Sequence, residues 1–129
     1  MDNFPSIEEV HSLLDEIAEE IPKDFFNELN GGILLLPDHK LHPESRSTHK
    51  LYIMGEYQRS SNSGRLIIIY YGSFKKVHPR ISKAGLYQLL KDTLLHEFTH
   101  HLESLAGERA LEVKDAYMLE SYKQQYKKD

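Results

Sequence analysis

Two histidines one helical turn apart, with a glutamate directly after the first, are the residues in this sequence best suited to chemistry. They are His96, Glu97 and His100, in the order H-E-x-x-H. Residues four apart on a helix differ by about 40° in direction, so both imidazoles can reach one cation. Glu97 lies about 60° from His100 and can accept a proton from a water beside that cation. The pattern predicts a zinc site in a hydrolase, with Glu97 as general base.

The third ligand of this zinc site is harder to predict, although a catalytic zinc usually has three. Four acidic residues follow the motif: Glu103, Glu108, Glu112 and Asp115. Glu103 points roughly the same way as His100 but lies one turn further along the helix. If the chain reverses near Gly107, residues close to 114 lie opposite His100. Glu112 is therefore the first choice for the third ligand, with Glu103, Glu108 and Asp115 as alternatives. Of Glu112 and Asp115, we expect one to bind the metal and the other to hydrogen-bond a histidine.

The other histidines do not form a second recognisable metal pattern. His101 points about 100° away from His100, so we expect a structural or surface histidine. His39, His42 and His49 share one polar segment, but their spacing matches no metal-site template. The chain has no cysteine, so a metal would need nitrogen and oxygen ligands.

Length and charge exclude several classes of protein. With 129 residues, the chain is long enough for one core, and we expect a single domain over residues 1–129. A formal net charge of −4 gives no electrostatic reason to expect nucleic acid. The longest apolar runs have four or five residues, whereas a spanning helix needs about 20. We expect a cytoplasmic protein that binds no membrane, and the sequence does not indicate its oligomeric state.

The first predicted helix covers about Ile7 to Ile21. Ser6 and Glu9 form a capping box at its start, and Pro22 stops it.

Two further helices are predicted in the C-terminal half. The helix that carries the motif covers about Lys83 to Leu105, with Gly107 as its C-terminal stop. A last helix covers about Glu108 to Tyr126.

Three strands are predicted between these helices. They cover Ile33 to Leu36, Leu51 to Gln58 and Arg65 to Tyr71. The last two are separated by residues 62–64, Asn-Ser-Gly, and so form a hairpin. Residues 38–50 are predicted to be a polar loop, and residues 72–74 to end the sheet. This order of elements predicts an α+β domain with helices packed on a small sheet.

The motif and its surroundings resemble a family of small bacterial metallopeptidases with a minimal zincin fold. The similarity lies in His96 to His100 with His101, Glu103 and Gly107, and in three strand segments, residues 31–37, 51–57 and 70–74. It implies a small three-stranded sheet packed against the active-site helix, with N-terminal and C-terminal helices. It also implies one Zn²⁺ ion, Glu97 as general base and a peptide or protein substrate. In zincins, an edge strand of the sheet pairs with an extended peptide.

One departure from that family affects the metal site and the function. Many members have a glycine three residues after the second histidine and an acid three residues later, where this chain has Glu103 and Ala106. The resemblance therefore does not supply the third ligand. The main prediction is a zinc-dependent metallopeptidase. The alternative is a catalytically weak or inactive binding or regulatory protein on a zincin scaffold, and a third possibility is a zinc esterase or amidase.

Overall fold

The N-terminal helix forms where its capping residues predict. The computed structural model describes residues 4–60, 62 and 64–127, and side chains as far as residue 108. Helix α1, Ile7–Glu20, begins after Ser6, whose hydroxyl accepts a hydrogen bond from the Glu9 amide at 3.2 Å. Its buried stripe at helical spacing consists of Val10, Leu13, Leu14 and Ile17. A short 3-10 turn, Lys23–Phe26, follows it.

The strands form one mixed sheet and one small antiparallel pair. They are β1 (Gly32–Leu36), β2 (Lys40–Leu41), β3 (Tyr52–Ile53), β4 (Gly55–Ser60) and β5 (Gly64–Tyr70). The mixed sheet has the order β1-β5-β4, with β1 parallel and β4 antiparallel to β5. The first predicted strand and the β4–β5 hairpin are confirmed. The predicted strand Leu51–Gln58 is divided between β3 and β4, which belong to different sheets, and Tyr71 lies outside β5. The polar loop predicted for residues 38–50 is wrong in part, because β2 lies there and pairs with β3.

A short helix, α2, Tyr71–Val77, follows β5 directly. The sequence pattern predicted only the end of the sheet at this point. Gly72 allows the helix to start there, since a Cβ atom at this position would lie 2.6 Å from the backbone nitrogen of His39. The Gly72 amide donates to the Asp38 carbonyl at 3.1 Å. This close approach fixes the segment that leads into β2.

The motif lies on a single helix, α3, Lys83–Lys127, which has 45 residues. The predicted end at Gly107 and the separate helix from Glu108 are therefore wrong. A helix that stops at glycine usually places it in the left-handed region, but the glycines with positive φ among the described residues are Gly32 and Gly64. Glycine inside a helix costs only about 1 kcal/mol, so a long helix can continue through it.

The core lies between α3, α1 and the inner face of the sheet. Four α3 side chains at four-residue spacing are 0% exposed: Leu86, Leu90, Leu94 and Phe98. They belong to one apolar cluster with Ile67 and Ile69 of β5 and with the α1 stripe. This burial fixes the rotation of α3, so His96 and His100 face the surface, while Glu97 is buried beside them. Within the described chain, no helix is sufficiently long and apolar to cross a membrane.

Candidate metal and hydrolase site

The two motif histidines converge on one point at the surface of α3. Their Nε2 atoms are 3.1 Å apart, and the rings lie nearly perpendicular with centroids 4.6 Å apart. Both side chains are exposed, as an ion arriving from solvent requires. The two imidazole rings thus lie close enough together to reach one ion, as their spacing in the sequence predicts.

The spacing of the two nitrogens suits a tetrahedral ion. With Zn–N bonds of about 2.0–2.1 Å, two ligand nitrogens of a tetrahedral zinc lie about 3.3 Å apart. The observed distance between Nε2 of His96 and Nε2 of His100, 3.1 Å, is close to this value. Holding an ion would require both Nε2 atoms to be unprotonated, so each ring would carry its proton on Nδ1.

The described side chains do not complete the ligand set. No group of three histidine or acidic side chains within residues 4–60, 62 and 64–108 could hold a metal ion. Glu103 is exposed and lines the same cleft as the two histidines. Glu108 is held instead by Arg65 and by Arg59, whose Nη2 lies 3.3 Å from its carboxylate.

The geometry that favoured Glu112 does not occur in this fold. Because α3 does not reverse at Gly107, the backbone of residue 112 lies about 18 Å along the helix axis from His100. The side chains of Glu112 and Asp115 lie outside the described residues. The expected antiparallel return of a third helix toward the histidines is wrong, because residues 83–127 form one continuous helix.

Glu97 lies beside the histidine pair but faces inward. Its side chain is buried, with 6% of its surface exposed, and it lines the cleft. Burial raises the pKa of its carboxyl group, nearby His96 and His100 lower it, and the negative charge of Glu56 raises it again. The net shift is upward, so Glu97 holds a proton more readily than an exposed glutamate does.

The cleft is a groove of about 700 Å³ between α3 and the edge strand β4. Besides the motif residues, its lining includes Gly55, Glu56, Tyr57, Arg59 and Ser104. The Tyr70 amide donates a hydrogen bond to the carbonyl of Met54, the residue before β4. In an antiparallel pair every second residue is hydrogen-bonded to the partner strand, so the backbone groups of the even-numbered residues of β4 point toward β5. The peptide groups of Gly55, Tyr57 and Arg59 therefore point away from β5. They form an edge that runs along the cleft.

His101 connects α3 to two other segments. It is 0% exposed. Its Nε2 lies 2.8 Å from the Asn27 carbonyl oxygen, which only accepts, so Nε2 carries the proton. Nδ1 must then accept from the Tyr57 hydroxyl, 2.8 Å away. The predicted structural alternative for His101 is correct, and the surface alternative is wrong.

Glu56 is held at the other side of the cleft by two donors. Lys40 Nζ and the Tyr70 hydroxyl each lie 2.5 Å from its Oε1. Burial raises the pKa of Glu56, but the hydrogen bonds from Lys40 and Tyr70 outweigh it, and the pKa lies below the ordinary value. The Lys40 amide donates to Ser73 Oγ at 3.0 Å, which anchors β2 to α2. The H-E-x-x-H pattern carries no signal for this cluster, because its members come from four separate elements.

The loop histidines do not gather into a site. His39, His42 and His49 are exposed. The His39 ring packs edge-on against Tyr52, and His42 Nδ1 accepts from the Glu44 amide at 3.0 Å. Among the described residues, they do not form a group of three side chains that could hold a metal ion.

The fold and the site define a small α+β protein whose longest helix carries two convergent histidines beside a buried glutamate. No family model and no curated protein matches the chain. Among solved structures, the chain is similar to a conserved hypothetical protein from Thermus thermophilus. The two are 33% identical, the match covers 80% of this chain and 99% of that one, and the TM-score is 0.66. The chain belongs to the same family as that protein.

Proposed function

We propose that this protein is a zinc-dependent peptidase on a minimal zincin-like scaffold. The supporting observation is the convergence of two exposed imidazole nitrogens, 3.1 Å apart, beside a buried carboxyl group in an open groove. His96 and His100 would hold the ion. The ion would act as a Lewis acid toward a substrate carbonyl and lower the pKa of a water molecule.

Glu97 is the proton carrier in this proposal. Its carboxylate accepts a proton from the water as the water oxygen forms a bond to the carbonyl carbon. It then gives that proton to the amide nitrogen as the carbon–nitrogen bond breaks. The position of Glu97 beside the two histidines in the lining of the cleft supports this role, because a general base must lie within reach of the water that it deprotonates.

The position of β4 at the edge of the sheet supports a peptide as the substrate. The outward peptide groups of Gly55, Tyr57 and Arg59 can pair with an extended chain, as exposed sheet edges do. Such a chain would lie along the groove, with one of its carbonyl groups beside the histidines. A small-molecule ester or amide lacks the extended backbone that would pair with this edge.

Metal analysis combined with one conservative substitution tests the proposal. Protein purified without added metal should contain close to one zinc per chain, and His96→Ala or His100→Ala should lose it. Glu97→Gln should keep the zinc and lose at least about a thousandfold in peptide hydrolysis, because the base is gone. His49→Ala, an exposed loop variant, is the control. Full activity in Glu97→Gln would refute the assigned role.

A second candidate is a binding or regulatory protein on the same scaffold. It is favoured by the absence of a third metal ligand among the described side chains. On this alternative, zinc-loaded protein cleaves no peptide in a mixed library, while Glu97→Gln binds the library peptides as tightly as the unaltered chain. Zinc-dependent cleavage that Glu97→Gln abolishes would exclude it.

A further inference from the structure

A second cavity opens on the N-terminal side of the histidine pair. It has a volume of about 380 Å³ and lies between α3 and the start of β4. Its lining consists of Ile53, Met54, Gly55, Asp92, Thr93, His96 and Glu97. Ile53, Gly55, His96 and Glu97 also line the main cleft, so the two spaces are adjacent to each other at the motif.

At Gly55, strand β4 lies close to helix α3. A Cβ atom at this position would lie 3.0 Å from Thr93 Cγ2 and 3.3 Å from the Ile68 carbonyl oxygen. The Thr93 methyl group is thus pressed against the backbone of β4. One wall of the small cavity is therefore apolar and held in place by packing.

The chemistry of the small cavity is mainly that of hydrocarbon side chains. Ile53, Met54 and the Thr93 methyl group supply apolar surface, and Met54 packs against the core. The lining has two acidic groups: Glu97 of the motif, and Asp92, which already accepts a hydrogen bond from Gln88 Nε2 at 2.9 Å. Among the residues that the structure describes, this lining contains no lysine or arginine that could pair with a negatively charged substrate group.

We infer that this cavity, the Ile53–Thr93 subsite, receives an apolar side chain of the peptide next to the bond that is cleaved. The inference rests on the proposed peptidase function. Thr93 lies three residues before His96, about 4.5 Å along the helix axis. An extended peptide advances about 3.3 Å per residue, so the subsite lies within one or two residues of a carbonyl at the histidines. Ile53 and Thr93 are thus specificity-determining residues.

The test separates binding from hydrolysis. Amide chemical shifts of the zinc-loaded protein are followed during titration with N-acetyl-leucine amide, and then with N-acetyl-glycine amide. The leucine compound should shift the Gly55 and Thr93 amides and bind about tenfold more tightly, because its side chain leaves water. Thr93→Glu should abolish that difference. Thr99→Glu, at an exposed position on the same helix, should retain it.

Hydrolysis of a mixed peptide library is the second measurement. The unaltered chain should cleave next to leucine, isoleucine or methionine at least about tenfold faster than next to glycine or aspartate. Ile53→Ala should weaken this preference, and Thr93→Glu should remove it. Both variants should retain the helical circular dichroism of the parent.

Each outcome bears separately on the two proposals. Cleavage without apolar preference, or equal binding of the two amides, overturns the subsite and leaves the peptidase intact. Selective binding of the leucine amide without any cleavage supports the subsite and counts against the peptidase. Absence of both overturns both.

Discussion

The Tyr57 hydroxyl donates a hydrogen bond to Nδ1 of His101, 2.8 Å away, and thereby ties the edge strand of the sheet to the motif helix. His101 immediately follows His100, so this contact sets the distance between the candidate metal ligands and β4. Its other nitrogen donates to the Asn27 carbonyl, which leaves the ring no alternative tautomer.

Tyr57→Phe should lower the free energy of unfolding by about 1–2 kcal/mol. The substitution leaves a buried imidazole nitrogen without a donor, and that costs the desolvation of the group. Urea unfolding followed by circular dichroism measures the change. Tyr52→Phe is the control, because the Tyr52 hydroxyl has no hydrogen-bond partner among the described residues. Equal stability of the two variants would contradict the role given to this contact.

Gly107→Ala should raise the free energy of unfolding by about 0.5–1 kcal/mol. Alanine is the better helix former, and a Cβ atom at this position meets nothing within 4 Å. If Gly107 instead ended the helix in a left-handed conformation, the same substitution would destabilise the protein by about 1 kcal/mol. The sign of the change in thermal midpoint therefore distinguishes a continuous α3 from a helix that stops.

Gly55→Ala should destabilise the protein by about 1–2 kcal/mol, because the new methyl group meets Thr93 Cγ2 at 3.0 Å. Thr93→Ser removes that methyl contact, so the cost of Gly55→Ala should fall in the Thr93→Ser background. A double-mutant cycle with chemical unfolding measures the coupling. Additive effects would mean that the strand and the helix are not in contact here.

Glu56→Gln should destabilise the protein by about 1 kcal/mol at pH 7, and the effect should diminish as the pH is lowered below 4.5. The folded-state pKa of Glu56 lies below its ordinary value of 4.5, so its ionised form stabilises the fold above that pH. This contribution is lost as the pH falls through the folded-state value. Unfolding midpoints between pH 3 and pH 7 test the sign, with exposed Glu19→Gln as the control. A constant difference across the range would be inconsistent with ionisation as the cause.

Local sequence signals predicted the local parts of this fold. The capping box at Ser6 and Glu9 located α1, and the turn at residues 62–64 located the hairpin. The i, i+4 spacing of His96 and His100 brings the two rings together on one face of α3. That face is exposed because α3 buries Leu94 and Phe98 on its opposite side.

Long-range relationships carried no such signal. The parallel pairing of β1 with β5 joins segments that are far apart in the chain, and α2 depends on the fit of Gly72 against residues 37–39. The predicted end of the helix at Gly107 was wrong, because glycine is compatible both with a helix end and with a helix interior. The expectation for Glu112 failed with it, since its geometry required a reversal. The roles of Glu56, Tyr57 and His101 depend on packing between β4 and α3, which residue spacing does not reveal.

The position of α3 after every strand of the sheet has a consequence for synthesis on the ribosome. Until the chain has been extended past Phe98, Ile67 and Ile69 lack the cover of α3, and part of the inner face of the nascent sheet is exposed. The turns that close this face are those that bear His96, Glu97 and His100. The protein therefore buries its core and acquires its candidate metal ligands in the same step, and a chain that ends before His96 does neither.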